Sequence, residues 1–343
     1  NLFHQNSTRY PMSNIGLIGC GMWGRNLARN LAQMGALAAV TDKTQAKAEE
    51  FANQFAVTAK AIDALLEDTD ITGIVLATSA PSHVDLAIRS LNAGKHAYVE
   101  KPLALTLIGA QKIATAAEKN DRQVMVGHLI RYHAAFIELQ AQIRAGAIGT
   151  LRHIQANRLA MGRIRNTESV LFDLCPHDLS LIQTLTGSEP TKVSCAGASH
   201  VTPGIVDTLA TTLGFAGGIS ATMQTSWMSP YKEHRFTVSG TAGSLVFDDT
   251  KPWPEKLVLF QDYILPDNES FIIERASPVA LPVAEAEPLK DEMRAFVDIC
   301  LTGKPVPSNI DEALAVQRTL EAMQAALLDM GKTATPHPPN RTS

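Results

Sequence analysis

The sequence predicts an α/β protein: an N-terminal Rossmann domain built on a parallel sheet, then a C-terminal α+β domain with a large open, mainly antiparallel sheet. Three observations predict it. Short apolar runs alternate with helical stretches from residue 14 to residue 126, the signature of parallel strands joined by right-handed crossovers. The first apolar run leads directly into GCGMWG at residues 19–24, a G-x-G-x-x-G spacing. Beyond residue 150 the runs lengthen, turn polar on one face and are separated by hairpin signals.

Each element has a local reason. Residues 15–18 are a short buried strand. Trp23, Leu27, Leu31 and Met34 share one face of a helix over 22–34. Residues 37–40 form a strand ending at Asp42, and 45–55 are helical in composition. Strands at 73–77, 97–99 and 123–126 alternate with helices at 83–92, closed by Gly94, and at 105–118. A helix over 134–144 precedes strands at 151–159, 192–198, 208–215, 219–227, 235–239, 244–247 and 257–260. FAGG at 215–218 and TAG at 241–243 are their hairpin turns. Such a sheet packs one face on a helix and leaves the other open. Helices over 289–301 and 311–329 close the chain, joined by GKPVPSN.

With 343 residues, 45% hydrophobic and 19% charged, the chain has the length and core for two domains. We expect a dinucleotide-binding domain over 12–128 and a substrate-binding and oligomerisation domain over 129–330, with the last helices able to pack back on the first. Residues 1–11, ahead of Met12, and 333–343 read as flexible. The net charge of −4 argues against nucleic acid and anionic membranes as partners. No apolar run is long enough for a membrane span. The first residues do not read as a signal peptide. Four scattered cysteines without a C-x-x-C pair fit a reducing cytoplasm.

A lone G-x-G-x-x-G is weak evidence, and its context gives it weight. Here a strand precedes it, a helix follows, and an acid stands near the expected distance. Gly19 allows the tight turn, Gly21 a close approach to a pyrophosphate, and Gly24 close helix–strand packing. Cys20, Met22 and Trp23 line the cofactor mainly through their backbone, with the Trp23 ring expected to point along the helix, away from the pyrophosphate. Asp42 accepts hydrogen bonds from the adenosine ribose and repels a 2′-phosphate, which favours NAD over NADP. HAYVEKP at 96–102 ends a strand with Lys101 where a nicotinamide would lie. A lysine there can donate to a substrate hydroxyl or shuttle its proton, helped by burial and a nearby positive charge that lower its pKa.

GCGMWG, Asp42, ATSAPSHVDLA (77–87), AGKHAYVEKPLA (93–104), VMVGHLIRYHAAF (124–136) and the closing stretch 287–322 together resemble the Gfo/Idh/MocA oxidoreductase family. The resemblance spans about residues 12 to 330. It implies nicotinamide-dependent redox chemistry on sugars and polyols. It makes Lys101 the catalytic lysine, with Pro102 after a cis or otherwise constrained peptide. It also adds Thr78, Ser79, His83, Glu100, Pro102 and His128 to the cofactor-binding set.

Residues 171–178 read LFDLCPHD. Asp173 and His177 share a face if helical; alternatively Pro176 starts the helix and Asp173 lies in the preceding turn. Either way a carboxylate near an imidazole can fix its tautomer and raise its basicity. By resemblance, His177 is the acid–base partner of Lys101, with Asp173 orienting it or binding substrate. No zinc-ligand spacing is present, so no metal is expected. Upstream, Arg158, Arg163, Arg165 and Asn166 leave a strand, and Arg131 and His133 follow the last Rossmann strand. Arginine forks match phosphate oxygens, so these residues are candidates for a diphosphate. The stretch 158–187 resembles the subgroup that oxidises nucleotide sugars. That implies oxidation of the 3-hydroxyl of a UDP-N-acetylhexosamine, UDP-N-acetylglucosamine favoured, in lipid A or surface-polysaccharide biosynthesis. It also implies a homo-oligomer, dimer or tetramer, and a pathway aminotransferase as a partner. The alternatives are a dehydrogenase of a free sugar, inositol or uronate, and a non-catalytic sensor of NAD and sugar.

Overall fold

The computed structural model describes residues 14–333, apart from Arg163, Thr167 and Glu269. The expectations for residues 1–11 and 334–343 fall outside the described residues. In chain order the first elements are β1 (Asn14–Ile18), α1 (Met22–Gln33), β2 (Leu37–Thr41), α2 (Gln45–Phe55), β3 (Thr58–Ala59) and α3 (Ile62–Glu67). They are followed by β4 (Ile71–Leu76), α4 (His83–Asn92), β5 (His96–Val99), α5 (Leu107–Asn120) and β6 (Val124–Val126). Next come α6 (Ala134–Arg144), β7 (Leu151–Met161), α7 (Val170–Asp173), α8 (Cys175–Thr186), β8 (Lys192–Ala198), β9 (Thr208–Gly214) and β10 (Ser220–Ser226). The remainder comprises β11 (Met228–Gly240), β12 (Ser244–Asp248), β13 (Leu257–Phe260), β14 (Tyr263–Asp267), β15 (Ser270–Glu274), β16 (Val279–Ala280), α9 (Pro288–Thr302) and α10 (Ile310–Thr333).

The chain divides into two compact units, residues 14–133 with 287–317 and residues 134–286 with 318–333. In the first, six strands form a sheet in the order β3-β2-β1-β4-β5-β6, with every pair parallel. Side chains alternate across it. Ile74, Leu76, Ala97 and Val99 pack with Leu86, Leu91, Ala110 and Ile113 of α4 and α5. Leu17, Val75 and Tyr98 face the other way, against Leu27 and Leu31 of α1, Phe51 of α2, and Met293 and Phe296 of α9. Both faces are covered, as a parallel sheet requires. Strand order reverses between β1 and β4, so their carboxyl ends open a crevice for a ligand.

The second unit carries an eight-stranded sheet in the order β16-β13-β12-β11-β7-β10-β9-β8. Its one parallel pair among the described strands is β7–β10; the other pairs are antiparallel. Strands such as β9 alternate buried and exposed residues, so one face is packed and one open. Phe136 of α6 meets Phe236 of β11 edge-on at 6.2 Å. The sequence pattern leaves β3, α3 and the β14–β15 hairpin unassigned. The two-residue β3 and six-residue α3 are too short to display a period. The hairpin strand Ser270–Glu274 is exposed throughout and carries no buried face to betray it. No described helix is long and apolar enough to cross a membrane.

Phe296 is fully buried and packs edge-on against Tyr98, with ring centroids 5.8 Å apart. Phe296→Ala is expected to lower stability by about 3–5 kcal/mol, read as an earlier midpoint in urea unfolding. A loss below about 1 kcal/mol, the scale of an ordinary surface change, would show that α9 does not close this core.

Candidate active site

In the first unit the turn between β1 and α1 is shaped by glycines. Gly19 has φ +110°, and a Cβ there would lie 2.5 Å from the Ala77 carbonyl oxygen. At Gly24 a Cβ would lie 2.0 Å from the Gly19 carbonyl oxygen, so only glycine lets α1 come this close to the turn. Gly21 is exposed, with nothing near the position of a Cβ. It is also the N-cap of α1, where no side chain caps the helix and no acid stands in the first turn. That leaves the positive end of the helix to an outside anion. Asp42, just past β2, accepts the Cys20 N–H at 2.8 Å and the Thr44 N–H at 2.9 Å. A carboxylate has lone pairs beyond these for two ribose hydroxyls. The residues therefore fit a dinucleotide: an open phosphate cradle and an acid at the ribose position. Burial and Asp42 push the Cys20 thiol up to about 12, so it stays protonated and unreactive.

Met22 is exposed, while the Trp23 indole N–H donates to Glu100 Oε1. Glu100 Oε1 also accepts the Tyr98 hydroxyl at 2.9 Å, and its Oε2 faces the Lys101 N–H at 3.3 Å. Lys101 is partly exposed just past the carboxyl end of β5, and the Lys101–Pro102 peptide is cis. His83 opens α4 fully buried. Its ring nitrogens face the carbonyls of Pro102 at 2.8 Å and Thr78 at 3.1 Å, and burial lowers its pKa. It is a buried strut between two loops, and as a neutral imidazole it donates to one of these carbonyls at a time. Thr78 accepts from Ser82 at 2.8 Å, and Ser79 caps the turn before α4. His128 Nδ1 lies 2.8 Å from Glu312 Oε2, and Arg131 Nη1 lies 3.4 Å from the other oxygen of that carboxylate. His133 is buried.

In the second unit, Asp173 ends the short α7 and His177 lies in the first turn of α8, which begins at Cys175-Pro176. Leu174 separates the two helices, so the proline-start alternative is the one realised. The Asp173 carboxylate is held at both oxygens, by the Trp227 indole N–H at 3.0 Å and by Arg165 Nη2 at 2.9 Å. Arg165 also pairs with Glu168 at 2.9 Å, and its buried Nε finds no hydrogen-bond partner. Asn166 is exposed beside it. Arg158 is placed differently from the phosphate-binding expectation. Its fork closes on Asp178 at 2.9 and 2.7 Å, and both side chains are nearly buried. That buried pair needs all of the arginine's geometry to offset the cost of desolvation. Burial, with Arg158 second, drives neighbouring His234 down to about 4. Arg163 lies outside the described residues.

Sequence reasoning did not single out Tyr98, Trp227, Glu292 or Glu312. Tyr98 was within reach, because residues two apart on a strand share a face with Glu100. The others act across long separations in sequence, which no local spacing reveals.

Known proteins resemble the chain in both parts. Residues 13–128 match the oxidoreductase family with an NAD-binding Rossmann fold, and residues 136–246 match the GFO/IDH/MocA C-terminal domain. The UDP-N-acetylglucosamine 3-dehydrogenase of Acidithiobacillus ferrooxidans is 34% identical over 189 residues, which cover 54% of this chain and 58% of that relative. The inositol 2-dehydrogenase of Acidothermus cellulolyticus is 30% identical over 251 residues, 69% of this chain and 73% of that one. In structure, UDP-N-acetylglucosamine 3-dehydrogenase GnnA from Acidithiobacillus ferrooxidans superposes with a TM-score of 0.80 at 25% identity, covering 93% of this chain and 98% of that one. Glycine turn, ribose acid, strand-end lysine and both family matches agree: the chain belongs to the GFO/IDH/MocA family of oxidoreductases with an NAD-binding Rossmann fold.

Proposed function

We propose that this protein oxidises the 3-hydroxyl of a UDP-linked N-acetylhexosamine, UDP-N-acetylglucosamine first among them, with NAD as the acceptor. The observation that carries the reading is its likeness, in sequence and in structure, to a UDP-N-acetylglucosamine 3-dehydrogenase.

NAD, held by the glycine turn and Asp42, would supply the hydride acceptor. The chain's own residues handle the proton and the charge. As hydride leaves carbon, the hydroxyl must lose its proton for the C–O bond to become a carbonyl. In this reading His177 takes that proton, and the Lys101 ammonium stabilises the developing alkoxide. Asp173, fixed by Trp227 and Arg165, orients the substrate. Arg165, whose partly exposed guanidinium also holds Asp173 and Glu168, and Asn166 beside it bind the diphosphate, so that remote binding energy positions the reacting carbon. Arg163 belongs to the same set by its place in the sequence. Arg158 is left out, because Asp178 already occupies its fork. The likeness to inositol 2-dehydrogenase supports a second reading, oxidation of a free polyol.

The test follows NADH formation from UDP-N-acetylglucosamine and from myo-inositol, with an aminotransferase drawing off the keto product. Turnover of the nucleotide sugar in preference to the polyol is expected; the reverse preference favours the second reading. Lys101→Ala should lower kcat by roughly 100- to 10,000-fold while NAD still binds. Unchanged activity would remove Lys101 from the mechanism. Arg165→Ala frees Asp173 for any substrate, but should raise KM for the nucleotide sugar roughly tenfold more than for a substrate without a diphosphate, the scale of one lost charge-assisted contact. Equal loss on both substrates contradicts a diphosphate role.

A further inference from the structure

Two buried acids share one phenol in the first unit. The Tyr98 hydroxyl lies 2.9 Å from Glu100 Oε1 and 3.1 Å from Glu292 Oε2. Tyr98 and Glu292 are completely buried, and Glu100 nearly so. The other oxygen of Glu292, Oε1, is buried without a hydrogen-bond partner. Space for the cluster exists because residue 127 is glycine. A Cβ there would lie 2.7 Å from the Tyr98 oxygen and 3.0 Å from Glu100 Oε2.

Counting protons decides the state of this cluster. Tyr98 has one hydroxyl proton, and two carboxyl oxygens lie within hydrogen-bond distance of it. If both acids were ionised, one of the two contacts would set acceptor against acceptor, and Glu292 would keep a bare buried charge. If Glu292 carries a proton on Oε2, it donates to Tyr98, and Tyr98 donates to Glu100. Every short contact is then a hydrogen bond. Glu100 is the acid suited to keep its charge, because the Trp23 and Lys101 N–H groups also point at it. The groups facing Glu292 reinforce the assignment. They are Tyr98 and Glu100 from β5 and its end, and Tyr132 from the turn after β6. Burial raises Glu100 as well, but the Trp23 and Tyr98 hydrogen bonds and the Lys101 charge oppose that, while the Arg131 charge bears on Tyr132. Burial and then the Glu100 charge hold Glu292 well above the usual carboxylate range.

We propose that Glu292 is a neutral buried acid and a positioning residue: through the Tyr98 hydroxyl it fixes Glu100, and through Glu100 it fixes Trp23 at the glycine turn and the backbone of Lys101. The hydrogen bonds link α9 through β5 to the first turn of α1, with Tyr98 and Trp23 both donating to Glu100, and the N-terminus of α1 is the end that would face dinucleotide phosphates. It explains why a tryptophan stands inside the G-x-G-x-x-G turn: its indole N–H supplies Glu100 with a donor. The inference concerns NAD binding alone and is independent of which sugar is oxidised.

The experiment compares the wild-type chain with Glu292→Gln and Tyr98→Phe by infrared difference spectroscopy and by NAD titration. At about pH 8, well above the ordinary carboxyl range, wild type should show the carbonyl stretch of a protonated carboxylic acid, and Glu292→Gln should lack it. The glutamine amide still donates to Tyr98, so Glu292→Gln should bind NAD within about twofold of wild type, inside ordinary surface-mutation scatter. Tyr98→Phe cuts the chain and should weaken NAD roughly tenfold, the scale of a lost hydrogen bond to a charged group. Absence of the band in wild type, or its survival in Glu292→Gln, overturns the assignment of the proton. Wild-type NAD affinity in Tyr98→Phe, or equal weakening in both variants, overturns the positioning role. Neither readout uses a sugar, so failure here is distinct from failure of the proposed reaction.

Discussion

A carboxylate buried in protein must collect donors, and Glu100 collects them from residues 23, 98 and 101. The indole of Trp23 comes from α1, the phenol of Tyr98 from β5, and the N–H from the residue next in chain, Lys101. Much of the first unit's geometry follows from that convergence. It ties the glycine turn to the strand-end lysine, the two places where the sequence carries its cofactor chemistry. An unsatisfied buried carboxylate costs far more than each of these bonds contributes on its own, so the arrangement holds as a set. The hydrophobic frame around it is Tyr98 against Phe296, which makes α9, nearly two hundred residues on in sequence, part of the same core.

The second unit solves a similar problem with different groups. Asp173 ends a four-residue helix and has a donor at each carboxylate oxygen, an indole and a guanidinium. His177 follows in the first turn of the next helix, past the break at Leu174. Asp178, one residue further, is spent on Arg158. Adjacent residues thus serve opposite ends: Asp178 secures the helix to the sheet strand that carries Arg158, while His177 remains partly exposed. Arginines that look alike in sequence differ in burial: Arg158 is nearly buried against Asp178, while Arg165 is partly exposed and bridges Asp173 and Glu168.

The fold was legible because its signals are local. Alternating runs announced the parallel sheet, and hairpin glycines at 217–218 and 243 announced the antiparallel one. The glycine turn and the segment ending in Glu100-Lys101-Pro102 were legible for the same reason: strand, turn and helix must follow one another in sequence to build them. What stayed hidden depends on distance. Nothing near residue 100 points to Glu292, and nothing near residue 158 says that Asp178 will claim its guanidinium. Nor does the sequence near His83 and His128 reveal what their rings face, the Pro102 and Thr78 carbonyls for one and Glu312 for the other. Short or fully exposed elements, β3, α3 and the β14–β15 hairpin, show no period for lack of length or of a buried face.

In the proposed reaction hydride leaves one particular carbon of a nucleotide sugar. The most direct measurement uses UDP-N-acetylglucosamine carrying deuterium at C3 of the sugar, with mass spectrometry of the reduced cofactor. The account predicts that the deuterium moves to the cofactor and that turnover slows relative to the unlabelled sugar. Unlabelled NADH formed from the labelled sugar would contradict it, because the hydride would then have come from another carbon.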